Sequence, residues 1–360
     1  MEITIIPINL YSTIYQNILL IVILVAVLGI YGRQLRFDNS PAIFNGLGIF
    51  ILVFTLIYIG LRPIHGVFVD MTTYAWVFSQ YEYGFEHTVK DPLFHYFTLF
   101  GSKILNINIY FFVCAALYII PLYVASKKLF CRYWVYGFLF LVGSFSFWAY
   151  GTNTIRNGIA ASLFILALSR ENGIAKIFWI AASVGFHLSM LLPAACFAAT
   201  YFNRNPKAYI SMWSASILLS IVSGSYFSSL FAGIGLEDDR LSYLTTIAEE
   251  GLFSRTGFRW DFLIYSAIPI ILGWYYIIRK NYANELYSQV FCTYTLTNAF
   301  WILVIQANYS DRFAYLSWCM MGILVCYPLL KKEIVANQGK LLSLTLAFYF
   351  TFTYAMYALA

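Results

Sequence analysis

What most limits the fold of this chain is a succession of apolar runs about twenty residues long, joined by short polar segments. A helix crossing the hydrocarbon layer needs roughly 20 apolar residues, because only a closed backbone hydrogen-bond ladder is tolerated there. Ten runs meet that need: Tyr11–Tyr31, Ala42–Leu61, Ile109–Ser126, Tyr133–Tyr150, Thr154–Ser169, Ala208–Gly224, Trp260–Ile278, Tyr287–Ile305, Phe313–Leu330 and Leu341–Leu359. Two stretches do not parse as single crossings. Asp70–Leu105 is amphipathic and broken by Gly84 and Pro92, and Lys176–Phe202 is over-long with polar residues near its middle. Each reads as a pair of short helices or a re-entrant hairpin. The expected fold is therefore an all-α polytopic integral membrane protein with about ten full crossings and about 12–14 membrane segments, in one transmembrane domain over residues 1–360.

The surface this implies agrees with the charge content. Charged residues make up 11% of the 360-residue chain and hydrophobic ones 61%, with a mean hydropathy of +0.73, whereas a soluble domain carries roughly 25% charged residues. Aromatics reach 20%, enough for interfacial belts and for a cavity that stacks on sugar rings or packs a polyprenyl tail. The net charge of +6 comes from short basic clusters between apolar runs, which is no nucleic-acid signal. The six cysteines form no CxxC pair, so no disulfide framework or metal ribbon is expected. The first apolar run lacks a basic leader and an A-x-A site and reads as a retained span.

Basic residues set the orientation. One face collects Arg33, Arg36, Lys127, Lys128, Arg132, Arg170, Lys176, Arg204, Lys207, Arg279, Lys280, Lys331, Lys332 and Lys340, and the positive-inside rule makes it cytoplasmic, with both termini outside. The opposite face holds single arginines at the mouths of spans: Arg62, Arg156, Arg240, Arg255, Arg259 and Arg312. Each opposes the insertion rule at a cost of about 2.5–3.5 kcal/mol near membrane depth, so the group calls for an anionic partner. The long stretch over 225–258 lies on this same face. Its Leu241–Ala248 run is mildly amphipathic and could rest on the membrane surface.

Four constellations carry candidate chemistry. The first is Arg62-Pro63-Ile64-His65-Gly66 followed by Asp70 and Tyr74. Asp70 caps a helix in the plain reading and is a general base in the functional one. The second, Asn153-Thr154-Ile155-Arg156-Asn157-Gly158, opens a span. There Arg156 either snorkels to the interface or joins the helix N-terminus in binding phosphate. The third is Phe186-His187-Leu188-Ser189, where His187 is a structural residue, a second base or a donor to phosphate. The fourth pairs Arg255, Arg259 and Asp261 with Asp311 and Arg312, which could hold anions or simply helix ends. His87, Asp91 and His95 have i,i+4 spacing, but Pro92 interrupts the helix that would align them on a metal. No metal site and no cofactor is expected.

Taken in order, Arg62, Gly66, Asp70-x-x-x-Tyr74, Asn153-x-x-Arg156-Asn157-x-Ile159-Ala160, Phe186-His187-x-Ser189 and Asp311-Arg312-Phe313 resemble the EpsG family of bacterial polysaccharide polymerases, related in role to the Wzy O-antigen polymerases. The chain departs from the family's pattern in two places. It has Asp91-Pro92-Leu93-Phe94 where the family tends to have Glu-Pro/Gly-x-Phe, and Arg156-Asn157 where Arg-Gln is usual. The resemblance implies polymerisation of oligosaccharide repeat units carried on undecaprenyl diphosphate, at the outer face of the bacterial cytoplasmic membrane, in a GT-C-like outline, for O-antigen, capsule or exopolysaccharide. It implies a metal-independent glycosyl transfer in which Asp70, with His187 in reserve, activates the acceptor. Arg62, Arg156, Arg255, Arg259, Arg312, Tyr74, Asn153 and Asn157 would hold the diphosphate and substrate. Expected partners are the lipid-linked donor and acceptor, the bilayer and a chain-length regulator, with no nucleic acid. A flippase for the same lipid should show two-halved repeats, and none is visible. A membrane O-acyltransferase would draw on acyl-CoA at cytoplasmic or mid-membrane groups, and a ligase of finished polymer shares the diphosphate donor.

Overall fold

The computed structural model describes residues 6–36, 44–85, 87–232, 257–307 and 310–359. Every regular element in them is helical: α1 (Tyr11–Ile30), α2 (Asn45–Gly60), α3 (Met71–Glu82), α4 (Pro92–Ile104), α5 (Ile107–Phe130), α6 (Trp134–Val142), α7 (Phe147–Thr152), α8 (Ile155–Leu168), α9 (Gly173–Phe186), α10 (Leu191–Phe202), α11 (Pro206–Ala232), α12 (Trp260–Trp274), α13 (Glu285–Leu303), α14 (Asp311–Trp318), α15 (Met321–Lys331) and α16 (Gln338–Ala358). Among the described residues, five stretches are long and apolar enough to cross a membrane: Ile8–Ile30, Ile107–Val142, Trp260–Arg279, Asp311–Lys331 and Gln338–Ala358. Shorter apolar helices accompany them over Asn45–Gly60, Ile155–Leu168, Gly173–Phe186 and Leu188–Phe202. Large side chains such as Leu28, Val222 and Phe348 stand exposed, as a lipid-facing surface requires. The protein is a multi-pass helical membrane protein.

Both ambiguous stretches resolve into pairs of helices. Gly84, with a φ of +86°, lets the chain turn after α3, and Pro92 at the first turn of α4 starts the next helix. The run expected over Lys176–Phe202 breaks at His187, whose extended backbone (φ −156°, ψ 116°) ends α9 before a single 3-10 turn leads into α10. Several starts follow from asparagine capping: Asn106, Asn172 and Asn284 each accept a backbone N–H of the helix they precede. α11 continues to Ala232 through a kink at Ser223, past the span end expected at Gly224. The Leu241–Ala248 run lies outside the described residues.

The chain divides into two compact units, 1–187 with 326–360 and 188–325. In the first, α5 packs on α2, α6 and α8, while α8 also lies against α9 and α7, and α16 pairs with α1. Every residue of α8 is buried except Arg156, so this helix is a core element whose one accessible side chain is charged. Gly158 permits its close approach: a Cβ there would meet the Tyr150 carbonyl oxygen at 2.5 Å. In the second unit, α13 packs on α10, α11, α12 and α14. Trp213 Nε1 donates to Asn298 Oδ1 at 2.8 Å, and Asn298 Nδ2 to Ser317 Oγ at 3.0 Å.

Candidate functional site

Four helix ends meet at one place in the first unit. α3, α4 and α8 begin there and α9 ends there. α8 and α9 pack together, pinned where Ser183 Oγ donates to the Ala160 carbonyl at 2.6 Å. Pairing the start of one with the end of the other puts Arg156 beside His187.

The group that joins them is Asp91. The following proline forces it into an extended conformation (φ −112°, ψ 95°), at the position where a carboxylate would ordinarily cap the helix. No capping bond forms. Its carboxylate, in a residue only 6% exposed, instead accepts from Arg156 Nη1 at 2.7 Å. It also meets His187 Nδ1, at 3.2 Å from Oδ1 and 3.1 Å from Oδ2. Arg156 is half-buried, and its guanidinium carbon stands 6.0 Å over the Tyr74 ring. A buried carboxylate is costly unless paired; here a guanidinium balances its charge and an imidazole supplies a further hydrogen bond.

Asp70 sits at the adjoining start of α3. Its backbone N–H donates to Asn153 Oδ1 at 3.0 Å, so the loop between α7 and α8 fixes where α3 begins. The capping role open to its side chain is not taken up; Asp70 is half-buried and stands one helical turn before Tyr74. Asn157 is 2% exposed, and neither its Oδ1 nor its Nδ2 has a hydrogen-bond partner among the described residues.

Arg62 has another occupation. It is buried, with Nη1 donating to the Ile59 carbonyl at 2.5 Å and Nη2 to the Thr152 carbonyl at 3.1 Å. The guanidinium lies 5.6 Å from the ring centres of both Phe68 and Phe111. Burial pulls its pKa down to about 10, which leaves it charged at neutral pH. It ties the end of α2 to the end of α7, next to Asn153. Expected from sequence to grip diphosphate, its Nη groups are turned to two backbone carbonyls.

The second unit holds the remaining pairs. Arg259 grips Asp261 with Nε at 2.9 Å and Nη2 at 2.7 Å, and its guanidinium stacks 3.6 Å from the Phe262 ring centre. Asp311 faces Arg312, Arg259 and the Tyr315 hydroxyl. Arg255 lies outside the described residues. Among those described, no group of three His, Cys, Asp or Glu side chains could hold a metal ion. His95 Nδ1 bonds the Tyr81 hydroxyl at 2.8 Å, and His87 packs edge-on to Trp76 and Tyr81.

Asp91 is the member that the sequence hides. Its i,i+4 spacing to His87 and His95 draws attention to a metal face instead. The signal that could have found it is the Asp-Pro pair at a helix start. A family model described as the EpsG family matches residues 46–360. No curated protein and no solved structure matches the chain.

Proposed function

Because this chain belongs to the EpsG family, we propose that it lengthens a polysaccharide by joining undecaprenyl-diphosphate-linked oligosaccharide repeat units at the outer face of a bacterial cytoplasmic membrane. The family itself points to a polysaccharide polymerase with glycosyltransferase-like activity. The hydroxyl at the non-reducing end of one lipid-linked unit attacks the anomeric carbon of the sugar on another, and undecaprenyl diphosphate leaves.

The observation that carries this reading is the network of Arg156, Asp91 and His187 where α3, α4 and α8 begin. Helix N-termini present unpaired N–H groups and partial positive charge. Beside Arg156, whose own charge Asp91 balances, these helix starts would give the leaving diphosphate N–H donors and partial positive charge fixed before the reaction starts, the arrangement that stabilises developing charge most effectively. Asp70 and His187 are the two groups beside it able to accept the hydroxyl proton. Tyr74, Asn153 and Asn157 line the same region and would orient the sugars. No metal is required for this step.

The test is reconstitution of the purified protein with lipid-linked repeat units, read on a gel. A ladder of products spaced by one repeat unit is expected. Its absence, with single units recovered unchanged, would refute the polymerase.

A further inference from the structure

The polymerase reading leaves two bases standing, and the geometry separates them. We propose that His187 takes the acceptor proton and that Asp91 is the positioning residue that makes it able to. This assignment rests on the polymerase reading.

The argument starts from the carboxylate. Both Asp91 oxygens lie within hydrogen-bond distance of the same ring nitrogen, Nδ1 of His187. A carboxylate only accepts, so Nδ1 carries the hydrogen, and in the neutral imidazole the lone pair belongs to Nε2. The tautomer is thereby fixed, and so is the ring plane. Among the described residues, Asp91 at the start of α4 bonds His187, and Arg156 from α8 bonds Asp91 in turn. These two partners carry one negative and one positive charge, so they balance each other while the imidazole is neutral. When the proton arrives, Asp91 is the group that stabilises the imidazolium. A carboxylate that orients an imidazole and a base that changes charge only during the reaction are the two requirements for proton transfer of this type.

The step balances as follows. The acceptor O–H proton passes to His187 Nε2, and the oxygen's electron pair forms the new bond to the anomeric carbon. The bond from that carbon to the diphosphate oxygen breaks, and its pair leaves on the diphosphate. The proton later departs from Nε2 to water. Arg156 has two tasks in this scheme, holding Asp91 through Nη1 and keeping positive charge beside the diphosphate.

Two measurements test the assignment on the full-length protein. The first is the nitrogen-15 spectrum of histidine-labelled protein in lipid nanodiscs, with His187→Gln identifying one signal among the four histidines. The neutral ring should carry its hydrogen on Nδ1; a ring protonated on Nε2 overturns the proposal. The second is the pH dependence of ladder synthesis. Turnover should rise with pH as the imidazole loses its proton. Asp91→Asn removes the charge that favours the imidazolium and leaves Arg156 unbalanced, so the rising limb should move down by about one pH unit or more. Turnover should fall by about a hundredfold or more, at little change in donor KM, and Asp91→Glu should restore most of it. If the limb stays put in Asp91→Asn, or moves only in Asp70→Asn, the base is not His187 and the polymerase reading survives. If wild-type protein makes no ladder at any pH, the polymerase reading falls with the proposal.

Discussion

Arg156 Nη1 lies 2.7 Å from Asp91 Oδ2 although the two residues stand 65 positions apart and open different helices. The pair is unequal in its surroundings: 28% of the arginine side chain is exposed, against 6% of the aspartate's. Removing the cation therefore leaves a largely buried carboxylate without the charge that balances it. Arg156→Ala should abolish elongation and also lower stability. Breaking a buried pair costs roughly 3–5 kcal/mol; because Arg156 is partly exposed and His187 still bonds Asp91, about 1–3 kcal/mol is expected. The double variant Arg156→Ala/Asp91→Asn should recover most of the melting temperature and none of the ladder. Recovery of elongation in the double variant would remove both residues from the site.

Arg62 differs from Arg156 in what its charge meets. Its Nη atoms satisfy two carbonyls from different helices, at Ile59 and Thr152. Arg62→Ala leaves those carbonyls without their donor and opens a cavity between Phe68 and Phe111, at a cost of about 2–4 kcal/mol. It should consequently lower the melting temperature in detergent further than Arg156→Ala does. The reverse order would mean that Arg62 serves a ligand rather than the frame.

Asn153 acts on the site through backbone. Its Oδ1 receives the Asp70 N–H at 3.0 Å and so sets where α3 starts relative to α8. Asn153→Ala should loosen that junction and cut turnover by about tenfold, the equivalent of one ordinary hydrogen bond of about 1–1.5 kcal/mol. Asn153→Asp keeps the acceptor oxygen and should stay closer to wild type. Initial rates with a single lipid-linked repeat unit compare the two, and equal losses would argue that the lost amide nitrogen matters instead.

How far the sequence discloses this protein depends on the range over which each feature is decided. Helices decided locally are legible: α1 follows the apolar run Tyr11–Tyr31 to within a residue, and the breaks at Gly84, Pro92 and His187 fall where turn residues or polar residues interrupt the pattern. Span lengths are less so. The run Tyr133–Tyr150 breaks between α6 and α7 at Gly143-Ser144-Phe145-Ser146, a short small and polar interruption that an average over the whole run conceals. Arg156 and His187 stand out as charged or ionisable residues in apolar surroundings. Asp91 does not, since its meaning lies in two partners 65 and 96 positions away. Arg62 is hard to read for the complementary reason: a buried arginine whose Nη groups bond carbonyls looks, in sequence, the same as one waiting for phosphate.

Gly158 gives the strictest test of how the site is held. In most helices Gly→Ala is stabilising by up to about 1 kcal/mol, because alanine restricts the unfolded chain and favours helical backbone. Here the added Cβ would sit 2.5 Å from the Tyr150 carbonyl oxygen and 3.0 Å from its carbon, both backbone atoms that cannot rotate away. α8 must then retreat from α7, and Arg156, two residues earlier, retreats with it. Overpacking of this kind costs about 1–3 kcal/mol, so Gly158→Ala should be destabilised despite its better helix propensity. It should also lose turnover, because catalytic geometry tolerates displacements of only a fraction of an ångström before rates fall by about a hundredfold. Thermal denaturation and ladder synthesis measured on the same preparation decide the matter. A variant more stable than wild type with full elongation would show that α7 and α8 are free to separate, and that the place of Arg156 is not set by their contact.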